Sequence, residues 1–404
     1  MSRGRFLFVS LSLATVLILA AGTLMAANQR QQDEGDDSLY KFLAIFSEAF
    51  SLVNRAYVDE LEQNQLLAGA FEGTLDALDP FSYFVPPGTQ PIYEKVARVG
   101  TRHSGLLVLK ERGVAYIVAV EEGSPAAEAG VQSGRILSEL QGQATRQMPL
   151  LGIYEILAGE VGTEIELETI DQTRGGMKEK SNFQLAEFPK AGIELSEERG
   201  VAVLRIPGFH PETTTDVETS LQALRAPTPP LPGLSEASKL VLDLRGVAGG
   251  DERAAYATAG LFVGGALGVL AGRDGEIEAF EGRTEPLFDG EIAILIDNGT
   301  QGAAEVMAQI LHQSLDATLV GERSFGHCGR QALVSLSNGA SIQITKAFFT
   351  GPNREPINKS LVPDLRVYAD SGSPDDPGQD VVLDSALERL LEGEPEDEEQ
   401  AQAA

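Results

Sequence analysis

Few side chains in this sequence have chemistry to offer. A histidine and the only cysteine stand side by side, His327-Cys328. Neutral imidazole is a competent general base near its ordinary pKa of about 6.5, so the pair invites the idea of a thiol nucleophile. Adjacent residues on an extended segment point to opposite faces, however, and both reach one site only if the chain bulges. His103, His210 and His312 are scattered without metal-like spacing, and neither a metal nor a cofactor is expected. Two glycine-marked turns offer another kind of chemistry. Gly249-Gly250 reads as a tight strand-to-helix turn, and Gly299-Thr300-Gln301-Gly302 leads into a helix expected over Ala303 to Leu315, with Thr300 as its cap. A helix N-terminus presents unpaired N–H groups and stabilises negative charge.

The elements that must position these residues follow from hydrophobic spacing. Phe42, Ile45, Phe46, Ala49, Phe50 and Val53 recur at helical steps, which predicts one buried face. A second helix from Gln63 to Leu78 ends at Asp79-Pro80, where proline stops it. Between residues 96 and 172 the apolar runs shorten to strand length, at 106–109, 115–120, 136–140 and 164–170. Gly123 to Gly130 reads as turn, short helix and glycine stop, and Met148 to Ala158 as a helix, giving a small, mostly β module.

From Ile193 onward strands alternate with helices. Strands are expected at 201–206, 239–244, 292–296 and 318–320, and helices at 213–224, 251–262 and 303–315. Such alternation implies a layered α/β domain whose sheet is covered by helices. Two last strands, 331–336 and 341–348, meet through the hairpin signal Asn338-Gly339. A closing helix is expected over 381–391, before an acidic remainder with the composition of disorder.

The two ends and the overall balance limit function. Arg3 and Arg5 precede an apolar run from Phe6 to Ala27, the pattern of a secretory signal or an uncleaved anchor of about 20 residues, and residues 28–38 read as a polar linker. A formal net charge of −29 argues against nucleic acid and anionic membrane surfaces as partners, since phosphates would be repelled. Contact with a membrane is expected only through the N-terminal segment. With one cysteine the chain can form no internal disulfide, so packing alone must stabilise the core.

Several short motifs, in this order, resemble one family. They are Leu78-Asp79-Pro80-Phe81-Ser82, Gly123-Ser124-Pro125-Ala126, Asp243-Leu244-Arg245 with Gly249-Gly250, and Asp297-Asn298-Gly299-Thr300. After them come Val320-Gly321-Glu322-Arg323-Ser324-Phe325-Gly326, Thr345-Lys346-Ala347-Phe348-Phe349-Thr350 and Val362-Pro363-Asp364. From residue 40 to 391 the chain is similar to the carboxyl-terminal processing, or tail-specific, serine peptidases. The resemblance implies an α/β (α+β) fold: a layered peptidase core with N-terminal helices and an inserted, mostly β PDZ domain. The corresponding division is 1–27 signal or anchor, 28–38 linker, 39–95 helical segment and 96–190 PDZ-like domain. Residues 191–370 are then the core, and 371–404 the last helix and acidic tail.

In that family the PDZ domain binds an extended C-terminal tail by strand addition, with backbone N–H groups holding the terminal carboxylate. The matching loop is Gly105-Leu106-Leu107-Val108, although Gly134-Arg135 stands where the family commonly has Gly-Asp. Catalysis in the family uses a serine at a helix N-terminus and a desolvated lysine as its base. The family pattern resembles Gly-Ser-Ala-Ser-Ala-Ser-Glu with the middle serine reactive; here it reads Gly299-Thr300-Gln301-Gly302-Ala303-Ala304-Glu305. The family's lysine follows Phe-Gly, and here Phe325-Gly326 is followed by His327. Gln331 occupies the place of the family's supporting glutamine. The oxyanion donors implied are the N–H of Ala303 and one from the Gly249-Gly250 turn. Glycine is an acceptable helix N-cap, costing about a few tenths of a kcal/mol against serine.

A glycine at the nucleophile position removes the attacking atom, whereas His327 alone would not prevent catalysis. The leading expectation is therefore an extracytoplasmic, non-catalytic relative that captures peptide or protein C-terminal tails or partner proteins. Two others stand beside it. One is an atypical peptidase in which His327 activates water or Cys328. The other is a regulator that joins an active paralogue, or further copies of itself, in an oligomer.

Overall fold

The computed structural model describes residues 40–60, 62–172, 175–226, 231, 234, 236–368 and 379–392. The expected signal or anchor, the linker and the acidic tail beyond residue 392 lie outside them. Among the described residues no helix is long and apolar enough to cross a membrane. The chain divides into two units, the first ending at Gly69. That unit contains helix α1, residues 40–56, whose apolar stripe is not buried as its spacing predicts: Phe42 is 67% exposed and Ile45 62%. Helical spacing shows that one face is apolar; it does not supply a partner for that face. Helix α2 spans Gln63–Asp76.

In the second unit, strand β1 (Tyr83–Val85) precedes helix α3 (Gln90–Val99). The segment expected to be purely helical thus contributes a strand. Three residues are too few to display a period, but Tyr, Phe and Val suit a pleated, buried position, and all three are buried.

The mostly β module follows. Its strands are β2 (Leu106–Glu111), β3 (Val114–Val120), β4 (Ile136–Leu140), β5 (Gln143–Ala144), β6 (Glu164–Asp171) and β7 (Met177–Gln184). The sheet order is β2-β3-β4-β6-β7, with β5 paired to β4, so β2 is an edge strand. Short helix α4 (Pro125–Glu128) and helix α5 (Leu150–Leu157) complete it around a core of Leu106, Val108, Ile117, Leu137, Ile153 and Ile165. Arg135, the departure from the family pattern, is buried and ion-paired with Asp171 and Glu179. In this structure it ties β6 and β7 to the start of β4.

The layered core begins with β8 (Glu194–Glu198), β9 (Val201–Arg205), helix α6 (Thr213–Leu224), β10 (Glu236–Asp243) and helix α7 (Glu252–Ala259). A hairpin that sequence spacing does not reveal follows, β11 (Gly265–Gly272) and β12 (Gly275–Gly282); the glycines of β11 hide its strand character. Then come β13 (Glu291–Ile296), helix α8 (Ala303–Leu315), β14 (Thr318–Gly321), β15 (Gly329–Ser335), β16 (Ser341–Phe349), β17 (Leu365–Arg366) and helix α9 (Val381–Glu392).

One sheet runs β17-β14-β13-β10-β9-β8, parallel except for β8. Its inner strands read as continuous apolar runs because both faces are covered. Leu240, Leu242, Ile292 and Ile294 face the cluster that includes α7 and α8, while Val241, Ala293 and Leu295 face α9. A second sheet has the order β1-β16-β11-β12, with β15 paired to β16. The residues with chemistry lie where this sheet meets the first turn of α8.

Candidate functional site

The turn between β13 and α8 is built around Asp297. Its Oδ1 accepts the N–H groups of Gly246 and Gly299, each at 2.9 Å. Burial raises this carboxyl, against the pull of those donors and of Thr300. Thr300 does not cap α8 as its position predicts. Its buried hydroxyl accepts the Asp297 N–H at 3.0 Å and reaches the Leu244 carbonyl at 3.0 Å, fastening the turn to the end of β10.

Gly302 is the N-cap of α8, with φ 64° and ψ −115°. A Cβ added there would find its three nearest neighbours all in Gly249, at 3.5 to 3.7 Å, so space for a side chain remains. The backbone, not the space, distinguishes the position. Positive φ strains any residue with a Cβ, and a sharp, strained strand-to-helix turn is how a nucleophile is presented in several hydrolase folds. The expected small capping loss is thus corrected: glycine is the relaxed residue at this turn.

Glu305 joins the two halves of the site. It is fully buried in the first turn of α8, where Oε2 accepts the N–H groups of Gly302 and His327, each at 3.1 Å. Oε1 accepts Ser324 Oγ at 2.5 Å and the Gly326 N–H at 2.6 Å. One carboxylate therefore holds both Gly302 and His327, the positions where the resemblance puts nucleophile and base. Burial pushes its pKa up to about 7, opposed by those four donors.

His327 is buried, its ring stacked on Phe81 at 4.5 Å between centroids and edge-on to Phe348 at 5.3 Å. Burial lowers its pKa and keeps the imidazole neutral, with Asp79 acting in the opposite sense. Its Nε2 is buried without a hydrogen-bond partner among the described residues. Cys328 points elsewhere. It is fully buried in the core cluster with Ala347 and Phe349, and burial pushes its thiol well above the usual range. With the sulfur buried in this way, the thiol route has no accessible thiolate. Gln331, on β15, donates from Nε2 to Thr345 Oγ1 at 3.2 Å.

The anion-stabilising amides are only partly available. Among the described residues, the N–H groups of Gly250 and Ala303 donate to nothing. The Gly249 N–H is occupied: it donates to Gln301 Oε1 at 2.8 Å, while Gln301 Nε2 donates to the His327 carbonyl at 2.8 Å. Gln301 stands where the family pattern has a small alanine, and the mismatch in size was the sequence signal for this plug. Phe81 and Glu305 also lay in quoted motifs without an assigned role.

A cavity of about 640 Å³ joins the module to the core. Gly105 and Leu107 line it on one side and Phe209, His210, Gly249 and Gly250 on the other. His210 lies 3.2 Å from Lys190 Nζ, and burial, then Lys190, lowers its pKa. Gly105 is fixed as glycine by φ 78° and by Ser124, whose Cβ would lie 2.0 Å from an added Cβ. At the outer edge of β2, Val108 is not open to a ligand. Its N–H donates to the Tyr154 hydroxyl of α5 at 3.3 Å, and that hydroxyl donates back to the Val108 carbonyl. The Leu106 N–H donates to Ser104 Oγ at 3.3 Å. No cluster of potential metal ligands occurs among the described residues.

Several known proteins are similar to this chain. Residues 200–367 match the model of Peptidase family S41, and residues 13–89 that of the Activating protease CtpB N-terminal domain. A Carboxy-terminal-processing protease of Bartonella bacilliformis is 25% identical over 365 residues, 87% of this chain and 82% of that protein. A Carboxyl-terminal-processing protease of Synechocystis is 27% identical over 382 residues, 86% of each. The solved photosystem II D1 C-terminal processing protease has the same fold, with a TM-score of 0.61 at 23% identity over 80% of this chain and 92% of that one.

Proposed function

From the premise that residues 200–367 belong to peptidase family S41, we propose that this chain is a carboxyl-terminal processing peptidase homologue without peptidase activity. It acts by binding peptide tails or partner proteins. The observation that carries this reading is Gly302, which leaves no atom to attack a carbonyl at the head of α8. What remains of the catalytic machinery is the turn with its free amides and the buried carboxylate that fixes it. In serine proteases the oxyanion hole and binding alone retain roughly 10³–10⁴ of the rate over water, a small part of the total. The N-terminal pattern of Arg3, Arg5 and the apolar run to Ala27 supports an extracytoplasmic location. The small β module with Gly105 at the start of its edge strand supports a PDZ-like role.

The test is reconstruction. Gly302→Ser with His327→Lys returns the reactive groups, and Gln301→Ala frees the Gly249 amide. The triple variant is expected to cleave an unfolded protein such as casein, the double variant much less, and the natural chain not at all. Turnover by the natural chain that survives Cys328→Ala would overturn the inactive reading.

A further inference from the structure

The edge of β2 is where an added strand would have to bond. Its inner side is paired to β3, with Val108 opposite Ile117 and Leu109 opposite Tyr116. Its outer side faces α5, and there the two groups that an incoming backbone needs, the N–H and C=O of Val108, are both engaged by one phenol, Tyr154. Two residues further along the strand, Lys110 Nζ donates to the Met148 carbonyl at 2.6 Å, closing the groove near the start of α5. The helix itself is fixed. Leu150, Leu151 and Ala158 pack with Tyr83, Val85 and Val96, so the groove cannot widen without disturbing the core's own β1.

We propose that the Tyr154 hydroxyl is a removable cap on the β2 edge, which a peptide tail must displace in order to add as a strand. This rests on the reading of the module as a tail-binding domain. A buried backbone N–H and C=O must have partners. The cap supplies both from one side chain, and a peptide supplies both from its own main chain. The exchange is therefore close to balanced in hydrogen bonds, and rotation of a single side chain separates the closed groove from the open one. Tyr154 sets the affinity for the whole class of ligand, because every extended backbone competes with the same two bonds whatever its side chains. Burial holds the phenol firmly in its neutral, donating form.

The experiment compares the full chain with Tyr154→Phe, which keeps the ring and removes the hydroxyl. Hydrogen exchange at the Val108 amide is measured in each. Binding is measured with a short fluorescent peptide ending in apolar residues, its carboxylate free or amidated. The expected result is a protected Val108 amide in the natural chain, faster exchange in the variant, and roughly tenfold tighter binding of the free-acid peptide by the variant. Equal exchange in the two proteins overturns the cap. Faster exchange with no gain in binding overturns the gating. If neither protein then binds the free-acid peptide, the failure lies in the tail-binding reading and not in the bond.

Discussion

On the proposed reading the head of α8 and the edge of β2 are both places where a peptide would be handled, and they depart from the family pattern in opposite ways. At α8 a side chain is missing: Gly302 leaves space beside Gly249 and a backbone bent as if to present something. At β2 a side chain intrudes: Tyr154 takes both bonding groups of Val108. Gln301 belongs with the second kind, since it occupies the Gly249 amide. The contrast separates what a fold needs from what a reaction needs. On the proposed reading a nucleophile can be absent because nothing else depends on its oxygen. An exposed strand edge is open to pairing, and at β2 a neighbouring side chain satisfies it.

If that separation is right, the largest effect should come from a residue that serves the architecture of the turn before α8. Glu305→Ala leaves four donors without their acceptor and should destabilise the protein by about 3–5 kcal/mol in urea unfolding. A loss below about 1 kcal/mol would mean the site is no longer held as a unit. Second comes pH. Burial raises Glu305 and Glu72 to about 7 from the usual 4.5. The folded state then binds more protons than the unfolded one, so their contribution is fully present below about pH 4.5 and is lost as pH rises through 7. Glu72→Gln should flatten that decline by about 2–3 kcal/mol, read as unfolding midpoints across this window.

Third, Gly302→Ser alone should cost about 1–3 kcal/mol, because a Cβ must adopt φ near 64°. A neutral or stabilising serine would show that the turn relaxes and is not poised for presentation. The smallest effect concerns the cavity between the β module and the core. Lys190→Ala should raise the His210 pKa slightly, by NMR titration, since the ammonium is the second cause of its depression after burial.

Much of the core was legible in the sequence. The helix bounds Thr213–Leu224 and Ala303–Leu315 match the expected spans, and the Asn338-Gly339 turn joins β15 to β16. These elements have long periods or specific turn chemistry. Less legible were features set by tertiary neighbours. The glycine-rich β11 is a strand because it lies between β12 and β16, and β1 because β16 offers it an edge. The α1 stripe announces an apolar face but not its exposure. In the site, Gly302 and His327 could be set against the family pattern by register alone. The size of Gln301 marks it as unusual, but its partner, and the cap by Tyr154, could not be read, because each depends on where a side chain lands relative to a backbone group distant in sequence.

Cys328 carries the only sulfhydryl in the sequence, and it is fully buried; its backbone N–H donates to the Ile357 carbonyl and its carbonyl accepts the Phe349 N–H. A chain with one such group carries its own reporter. The rate at which a thiol reagent labels it measures how often the interior between β16 and the 350s loop comes apart, with no competing signal from the surface. This one buried thiol thus makes the opening of the domain countable.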